Sequence, residues 1–379
     1  MKNEREIRSV SEKIINFGCV CDACLGRQFA KLLKAGTNIE RGRQARGIIG
    51  TAVKNEKCAL CENLMAELCV TMKMPLEELK KMDFRTFMIG VRMSDSLVMK
   101  EEALWEKTGI KYCESIKAEI SRELSRLVTK ATGKKQDQER PDVIIMFDAG
   151  KRSTEIFSNP LFVYGEYRKF SRGLPQTSSR QFKQSVEDII AKPLMKATGG
   201  SAHVLHAQGR EDRGARCLAW RPFVLEIKQP LKRKFSPRSM LTAINRSHKV
   251  KVAKLRLSDR KEVAKIKAKN PFKIFRVVVD FEKSVENPER LKSLACAIKQ
   301  RTPSRILGAK PDRTKHKKVK SIKWKRINSK RYQFDIIAES GLYLNELVTG
   351  DGGRTKPSVS QLLENSGKIK EFDLIGLED

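Results

Sequence analysis

In the run Gly209-Arg210-Glu211-Asp212-Arg213-Gly214-Ala215-Arg216, one carboxylate, Asp212, stands between two arginines and beside glycines. Nearby cations favour the ionised form of a carboxylate, and an ionised, positioned Asp can serve as a covalent nucleophile. The same residues could instead hold Asp212 in an ion-pair network or at the cap of a turn. Cysteines form a second constellation. Cys21-Asp22-Ala23-Cys24 and Cys58-Ala59-Leu60-Cys61 are two C-x-x-C knuckles. Each can turn both thiolates toward one ion, and two knuckles close a tetrahedral, four-sulfur structural zinc site. Four unrelated core cysteines are the alternative. Cys19 is a competing ligand, while Cys69, Cys113, Cys217 and Cys296 stand alone and are expected to be buried as small apolar groups.

These groups sit in a strongly cationic chain. Its 379 residues carry 78 Lys and Arg against 45 Asp and Glu, a formal net charge of +33. Such an excess repels itself unless a polyanion neutralises it, and counterion release makes nucleic acid the expected partner. A membrane surface is disfavoured. There is no basic amphipathic helix without caps, no lipidation signal and no apolar run of membrane-spanning length; Val143 to Phe147 is about the longest. The charged start, Met1 to Arg5, is not a signal peptide. Nine cysteines then read as ligands or buried thiols of an intracellular, cytoplasmic or nuclear protein. Between Lys310 and Lys330, ten of 21 residues are Lys or Arg, interrupted by Val319, Ile322 and Trp324. That run reads as a phosphate-backbone track or a solvated basic face.

Several elements must position these groups. Between the knuckles, Gly26 to Leu33 has apolar residues at helical spacing. Residues from 62 to about 135 read as mostly helical, with Pro75 near a helix start and Cys113-Glu114-Ser115 leading into a helix from Ile116. Phe87 to Arg92 and Val143 to Phe147 read as strands, the second followed by a turn at Asp148-Ala149-Gly150. In the C-terminal half, Lys249 to Leu257, Phe272 to Phe281 and Tyr332 to Ile336 have strand character, and Ser340 to Val348 turns into a short helix. The expected organisation is α+β: a zinc-knuckle segment over 1–61, a small α/β domain over 62–170 and a larger domain over 171–379. Neither a dinucleotide-binding nor a phosphate-loop glycine pattern is present, which argues against a Rossmann-type methyltransferase and against an ATPase.

The order and spacing of several motifs resemble the archaeal and eukaryotic tRNA pseudouridine synthase family numbered ten, which carries a zinc-bound THUMP domain. They are Cys21 to Arg27, Cys58 to Cys61, Tyr164-Gly165-Glu166-Tyr167-Arg168-Lys169, Arg172 to Thr177, Gly209 to Asp212, Arg221-Pro222-Phe223, Gln300-Arg301-Thr302-Pro303 and Gly341 to Pro357. The resemblance implies an isomerase that breaks the N1–C1′ bond of a uridine, rotates the uracil and forms a C5–C1′ bond, with no organic cofactor. It also implies a pseudouridine synthase domain built on a mixed, mostly antiparallel sheet flanked by helices. The RNA would be tRNA, at uridines 54 and/or 55 of the TΨC arm, gripped partly by the THUMP domain.

By the same resemblance Asp212 is the nucleophile, toward ribose C1′ or, alternatively, uracil C6. Phe275 stands where the family has a strand tyrosine that packs on uracil. Tyr343 matches a second substrate-contacting tyrosine, with Leu344 as the pocket floor. Arg210 belongs with the substrate-binding set, as does Arg354, which could pair with Asp212 or a phosphate, or locally with Asp351. Such an enzyme must flip a stacked base and hold it against an apolar face. The chain departs from the family at Gly214, usually acidic, at Leu342, usually Thr, and at Ala219-Trp220, usually a glycine-rich turn. It also lacks a Cys-rich insertion after Pro175-Gln176-Thr177. A noncatalytic, zinc-containing tRNA- or rRNA-binding protein is the competing reading.

Overall fold

The computed structural model describes residues 2–34, 36–52, 56–179 and 181–378; Met1, part of the N-terminal run read above, lies outside them. Two compact units emerge. The first comprises residues up to Asn159 with Leu231–Arg233, and the second comprises Pro160–Pro230 with Lys234–Asp379.

In the first unit, helices α1 (Lys2–Phe17), α2 (Asp22–Arg27), α3 (Asn38–Ile49), α4 (Leu64–Thr71) and α5 (Lys73–Lys81) precede β1 (Thr86–Arg92). Helices α6 (Asp95–Thr108) and α7 (Ile116–Thr132) follow, then β2 (Lys135–Gln136), β3 (Val143–Asp148) and β4 (Ser153–Ser158). Start signals legible in the sequence set the helix ends. Ser115 Oγ accepts from Ala118 N to cap α7, and Thr37 with Glu40 forms a capping box on α3. The sheet runs β2-β1-β3-β4, parallel except between β3 and β4. Alternation along β1 and β3 buries Phe87, Ile89, Val91, Val143, Ile145 and Phe147.

Two expectations change here. The segment 1–61 is not a separate body: Ile7, Ile14, Leu25 and Phe29 share one hydrophobic core with Phe87, Ile145 and Phe147. The helix expected over Gly26 to Leu33 ends at Arg27, and the long helix of the insert is α3. The reason lies in two glycines. A Cβ on Gly26 would stand 1.8 Å from the Asn38 carbonyl oxygen, and one on Gly42 2.0 Å from that of Asp22. Helices α2 and α3 therefore meet backbone on backbone. The solitary cysteines also divide: Cys113 and Cys217 are buried, Cys296 is partly buried and Cys69 is exposed. On α4 the buried residues are Leu64 and Leu68, four apart, and Cys69, one step further round, faces outward.

The second unit holds β5 (Leu161–Lys169), α8 (Val186–Thr198), β6 (Ala202–Ala207), β7 (Arg216–Lys228), α9 (Pro237–Asn245), β8 (Val250–Ser258), α10 (Arg260–Ala268) and β9 (Phe272–Phe281). It continues with β10 (Ala297–Arg301), β11 (Thr314–Arg326), β12 (Arg331–Glu339), α11 (Leu344–Thr349), β13 (Thr355–Lys356), α12 (Val359–Leu363) and β14 (Gly367–Glu378). The sheet order is β13-β10-β11-β12-β9-β14-β7-β5-β8, with β6 on β7, and only β14 and β7 pair in parallel. The structure thus has the expected mixed, mostly antiparallel sheet flanked by helices. Strand β5 pairs with β7 and β8, so the second unit begins about ten residues before the boundary expected at 170.

Register sets which residues share the working face. Cys217 lies opposite Leu374, Leu374 opposite Phe275, and Phe275 opposite Ile336. At one end of this face α8 and α9 cover Tyr167, Phe223 and Leu225. At the other, α11 and α12 cover Val277, Phe334 and Ile336. Between the two cores lies a small patch of Cys217, Ala219 and Leu374 with Phe275 and Leu377 packed on it. Helix α10 packs Val263 and Ile266 on Val224, Phe162 and Tyr164 of the reverse face. Among the described residues no helix is long and apolar enough to cross a membrane.

Candidate active site and metal centre

In the first unit, Cys21, Cys24, Cys58 and Cys61 converge, their sulfurs all within 4.8 Å of one another. Cys21 caps α2 and Cys24 lies in its first turn. The second knuckle is shaped by two residues in left-handed backbone, Glu62 at φ 51° and Asn63 at φ 68°, and by the Asn63 side chain, which accepts from Cys58 N at 3.0 Å. Cys21 and Cys61 sulfurs are 3.7 Å apart, far beyond a disulfide bond of about 2.05 Å. A tetrahedral ion with metal–sulfur bonds of about 2.3 Å gives sulfur–sulfur edges of about 3.8 Å. The four thiols therefore fit one tetrahedral ion. Cys19 is not one of the four; its carbonyl instead accepts from Ala59 N at 2.7 Å, joining the two knuckles. Buried Arg27 braces the first knuckle, donating to Cys24 Sγ at 3.3 Å and to Glu119 at 2.7 Å.

In the second unit, the loop between β6 and β7 carries Asp212 over the working face. Its carbonyls point inward, onto buried cations. Arg221 donates to the carbonyls of Gln208 and Gly209, the latter at 2.9 Å. Lys169 donates to the carbonyls of Asp212 at 3.1 Å and Arg213 at 3.4 Å. Gln176 Nε2 reaches the Gly209 carbonyl at 3.3 Å and the Tyr167 hydroxyl at 3.1 Å. Glu211 turns down into this layer, with its side chain 5% exposed, and pairs with Arg221 at 3.0 Å and Lys169 at 3.6 Å. Burial pulls Lys169 below the ordinary lysine range, with Glu211 opposing. It pushes the Tyr167 hydroxyl well above its usual range. The residues Tyr167, Lys169, Gln176 and Arg221 thus have a common task that their separate motifs do not reveal.

Asp212 itself is exposed. Its Oδ1 accepts from Gly214 N at 2.8 Å, and a Cβ at residue 214 would meet the same oxygen at 3.3 Å. Glycine at this position keeps the backbone close to the carboxylate. The flanking arginines are not its partners: Arg213 lies over the Phe182 ring at 4.8 Å, and Arg210 is exposed. Among the described residues no ion pair includes Asp212, a correction to the picture of a carboxylate clamped between guanidiniums. Arg213 has an aromatic face to cover, and the tight turn to Gly214 directs Asp212 outward.

The other expected residues fall as follows. Phe275 is partly buried and packs on both the central patch and the core that contains Leu344. Lys273, two residues earlier on the same face, is 8% exposed, and its Nζ lies 3.8 Å from where a Gly209 Cβ would be. Burial, then the nearby Arg221, lowers Lys273 to about 8. Tyr343 caps α11, its backbone gripped by Gln300, which accepts from Tyr343 N at 2.9 Å and donates to Tyr343 O at 3.1 Å. Leu344 is buried. Arg354 takes the local alternative: it lies 3.9 Å from Asp351, donates to the Thr302 carbonyl at 2.9 and 3.1 Å and pairs with Asp312, so it braces the 302–312 loop and has no ion pair with Asp212 among the described residues.

One cation near Asp212, besides Lys169, is one the sequence reading passed over. Arg305 donates to buried Glu346 at 2.7 Å and lies 6.0 Å from the centre of the Tyr343 ring. It is held above the ordinary arginine range, first by the Glu346 hydrogen bond and further by the charges of Glu346 and Asp212. Its signal in sequence was its place two residues after the end of the Gln300 to Pro303 motif. The departure at Ala219-Trp220 also has a structural reading: both residues lie inside β7, not in a turn, and Trp220 stacks with Arg168 at 4.4 Å.

Known proteins share this arrangement of sequence. The family profile described as "Pus10, C-terminal" matches residues 162–378, and that described as "Pus10 THUMP domain, archaeal" matches residues 72–148. The tRNA pseudouridine synthase Pus10 of Pyrococcus furiosus is 36% identical over 370 residues, covering 95% of each chain. That of Thermofilum pendens is 32% identical, over 95% of this chain and 93% of the relative. The Methanothrix thermoacetophila relative is 31% identical over 98% and 94%. With one profile over residues 162–378, more than half of the chain, and another over β1 to β3 of the first unit, this chain belongs to the Pus10 family of pseudouridine synthases, which are isomerases.

Proposed function

We propose that this chain converts uridine 54, uridine 55 or both to pseudouridine in the TΨC arm of tRNA, with Asp212 as the nucleophile. The observation that carries this reading is the contrast between the buried, cation-anchored backbone of the 208–213 loop and the exposed carboxylate at its tip. Asp212 attacks ribose C1′ as the N1–C1′ bond breaks, and the uracil leaves as an anion. The base rotates, C5 forms a bond to C1′ as Asp212 departs, the proton on C5 is lost and N1 gains one. Three buried or partly buried cations, Lys169, Arg221 and Lys273, stand beneath the loop against one buried carboxylate, Glu211. That net positive interior favours both the aspartate and the transient uracil anion. Phe275 supplies the apolar face for the flipped base, Tyr343 a second contact and Leu344 the floor beneath it. Arg210, exposed beside the nucleophile, contacts a phosphate, as does the first unit through its THUMP domain.

The four thiolates suit zinc, a soft ligand set in a closed tetrahedron. Zinc there would stabilise the fold of the knuckles and supply no catalysis. The test is carbodiimide-dependent primer extension on a tRNA bearing both uridines, and on tRNAs with one uridine blocked. Wild-type protein should give stops, and Asp212→Asn should bind the same tRNA and give none. Absence of stops with wild-type protein overturns the reading. One zinc per chain is expected by elemental analysis.

A further inference from the structure

The basic run from Lys310 to Lys330 is a single tract only in sequence. Strand β11 gives it a period of two. Lys315 lies opposite Gln300 and Lys317 opposite Ile298, and both partners are buried on the working face. Lys317 reaches that face beside Gly341, its Cε 3.7 Å from where a Cβ there would stand. His316 and Lys318 point to the reverse, as do Lys323 and Lys325, which flank Trp324, a residue packed on the working-face core. The working-face half borders a concavity of about 210 Å³ lined by Gln300, Arg301, Thr302, Lys310, Pro311, Arg313, Lys315 and Tyr343. Asp212 and Phe275 do not line it, so it receives something other than the reacting base. Asp312 pairs with Arg301 and Arg354 at the rim, whereas the side chains of Lys310, Arg313 and Lys315 have no acidic partner among the described residues. These three cations converge on a small hollow of mixed polar and apolar lining with one aromatic wall. That is the chemistry of a phosphodiester with its ribose, not of a free base or an acidic helix.

We propose that this hollow is a phosphodiester subsite for the nucleotide adjacent to the target uridine, with Lys310, Arg313 and Lys315 on the phosphate and Tyr343 against the sugar or base. The proposal rests on the pseudouridine synthase reading. Gln300 grips the Tyr343 backbone from within this hollow, so a seated phosphate fixes the same tyrosine that, on that reading, contacts the target.

The experiment compares two double variants in the full-length protein, Lys310→Gln with Lys315→Gln and, on the reverse face, Lys323→Gln with Lys325→Gln. KM and kcat are measured for a TΨC-arm RNA across a salt series, then for the same RNA with single methylphosphonate links flanking the target. The working-face variant is expected to raise KM about tenfold with kcat within about twofold. It should also lower the salt slope of log KM by up to about 1, since one phosphate contact contributes about 0.7 to 0.9. One methylphosphonate position should raise KM for wild-type protein and leave this variant unchanged. The reverse-face variant should behave as wild type. Equal effects from both variants, a change confined to kcat, or a methylphosphonate penalty unaltered by the working-face changes would each overturn the subsite. Inactive wild-type protein would instead defeat the reading on which it rests.

Discussion

The thiol cluster and the Asp212 loop are both sites where a few side chains must be held still, yet they are held in opposite ways. At the cluster, the functional atoms are themselves the glue: four sulfurs within 4.8 Å, drawn from two short turns. At the loop, the proposed nucleophile Asp212 holds nothing except its own Gly214 amide. The loop is held from below by Arg221, Lys169, Gln176 and Glu211, none of which is the proposed nucleophile. The contrast is sharpest between neighbours: Glu211 is buried in the anchor and Asp212 projects from it. A cluster whose ligands are its structure fails when a ligand is lost. A loop whose scaffold is separate from its chemistry can lose the chemistry and keep the fold.

This comparison can be broken at several points. The largest effect is expected from metal removal: structural zinc contributes about 10 to 16 kcal/mol of apparent binding energy in small sites. Chelation, or Cys58→Ser, should therefore remove the first unit's share of the unfolding transition in calorimetry. Asp212→Asn should reduce kcat by about 10⁴-fold or more while leaving the melting temperature within about 1 °C, because the side chain is exposed. A large fall in melting temperature would mean that the carboxylate also supports the fold. Arg221→Met should do both kinds of damage, since it removes the 3.0 Å ion pair to buried Glu211, leaving that carboxylate only Lys169 at 3.6 Å, and takes a donor from the Gln208 and Gly209 carbonyls. A loss of about 3 to 5 kcal/mol in urea unfolding is expected, with about a hundredfold loss of kcat from the misplaced nucleophile. Gly26→Ala tests the backbone contact of α2 and α3 and should cost about 1 to 3 kcal/mol, leaving the activity of surviving folded protein unchanged.

The smallest effect has a sign that depends on pH. Lys273 is lowered from 10.5 to about 8 in the fold, so between those values the unfolded chain binds more protons and wild-type stability rises with pH. Below about 8 the cost of burying the ammonium is fully present. Lys273→Met should therefore melt higher than wild type at pH 7, and the gap should narrow by pH 9.5. A gap that widens with pH would mean that the lysine is paired in its charged form.

How much of this was legible differs between the two sites. The cysteine spacing pointed to its own ligand set, because C-x-x-C is a local geometry that needs only a turn. Strands such as Phe272 to Phe281 and helices such as the one from Ile116 were legible by their period and caps. The helix ending at Arg27 was misread because nothing local announces that Gly26 must touch Asn38. Arg354 was expected to pair with Asp212 or a phosphate, or locally with Asp351; it lies 3.9 Å from Asp351 and braces Thr302 and Asp312, while Arg305 is the arginine beside Tyr343. Both are arginines in the right part of the chain, and only the path of the 302–312 loop distinguishes them.

By itself, then, the sequence determined the cationic character, the pairing of the two C-x-x-C knuckles, the candidate aspartate and, through the order of its motifs, the family. Each is a property of composition or of residues a few positions apart. The tertiary structure decided that Glu211 is buried and Asp212 exposed, that Lys169, Arg221 and Lys273 share one face beneath the loop, and that the basic run is divided between two faces of the sheet. Those outcomes depend on strand register and on pairing across long separations. A side chain's environment there is set by which strand lies beside it, and no local pattern encodes that.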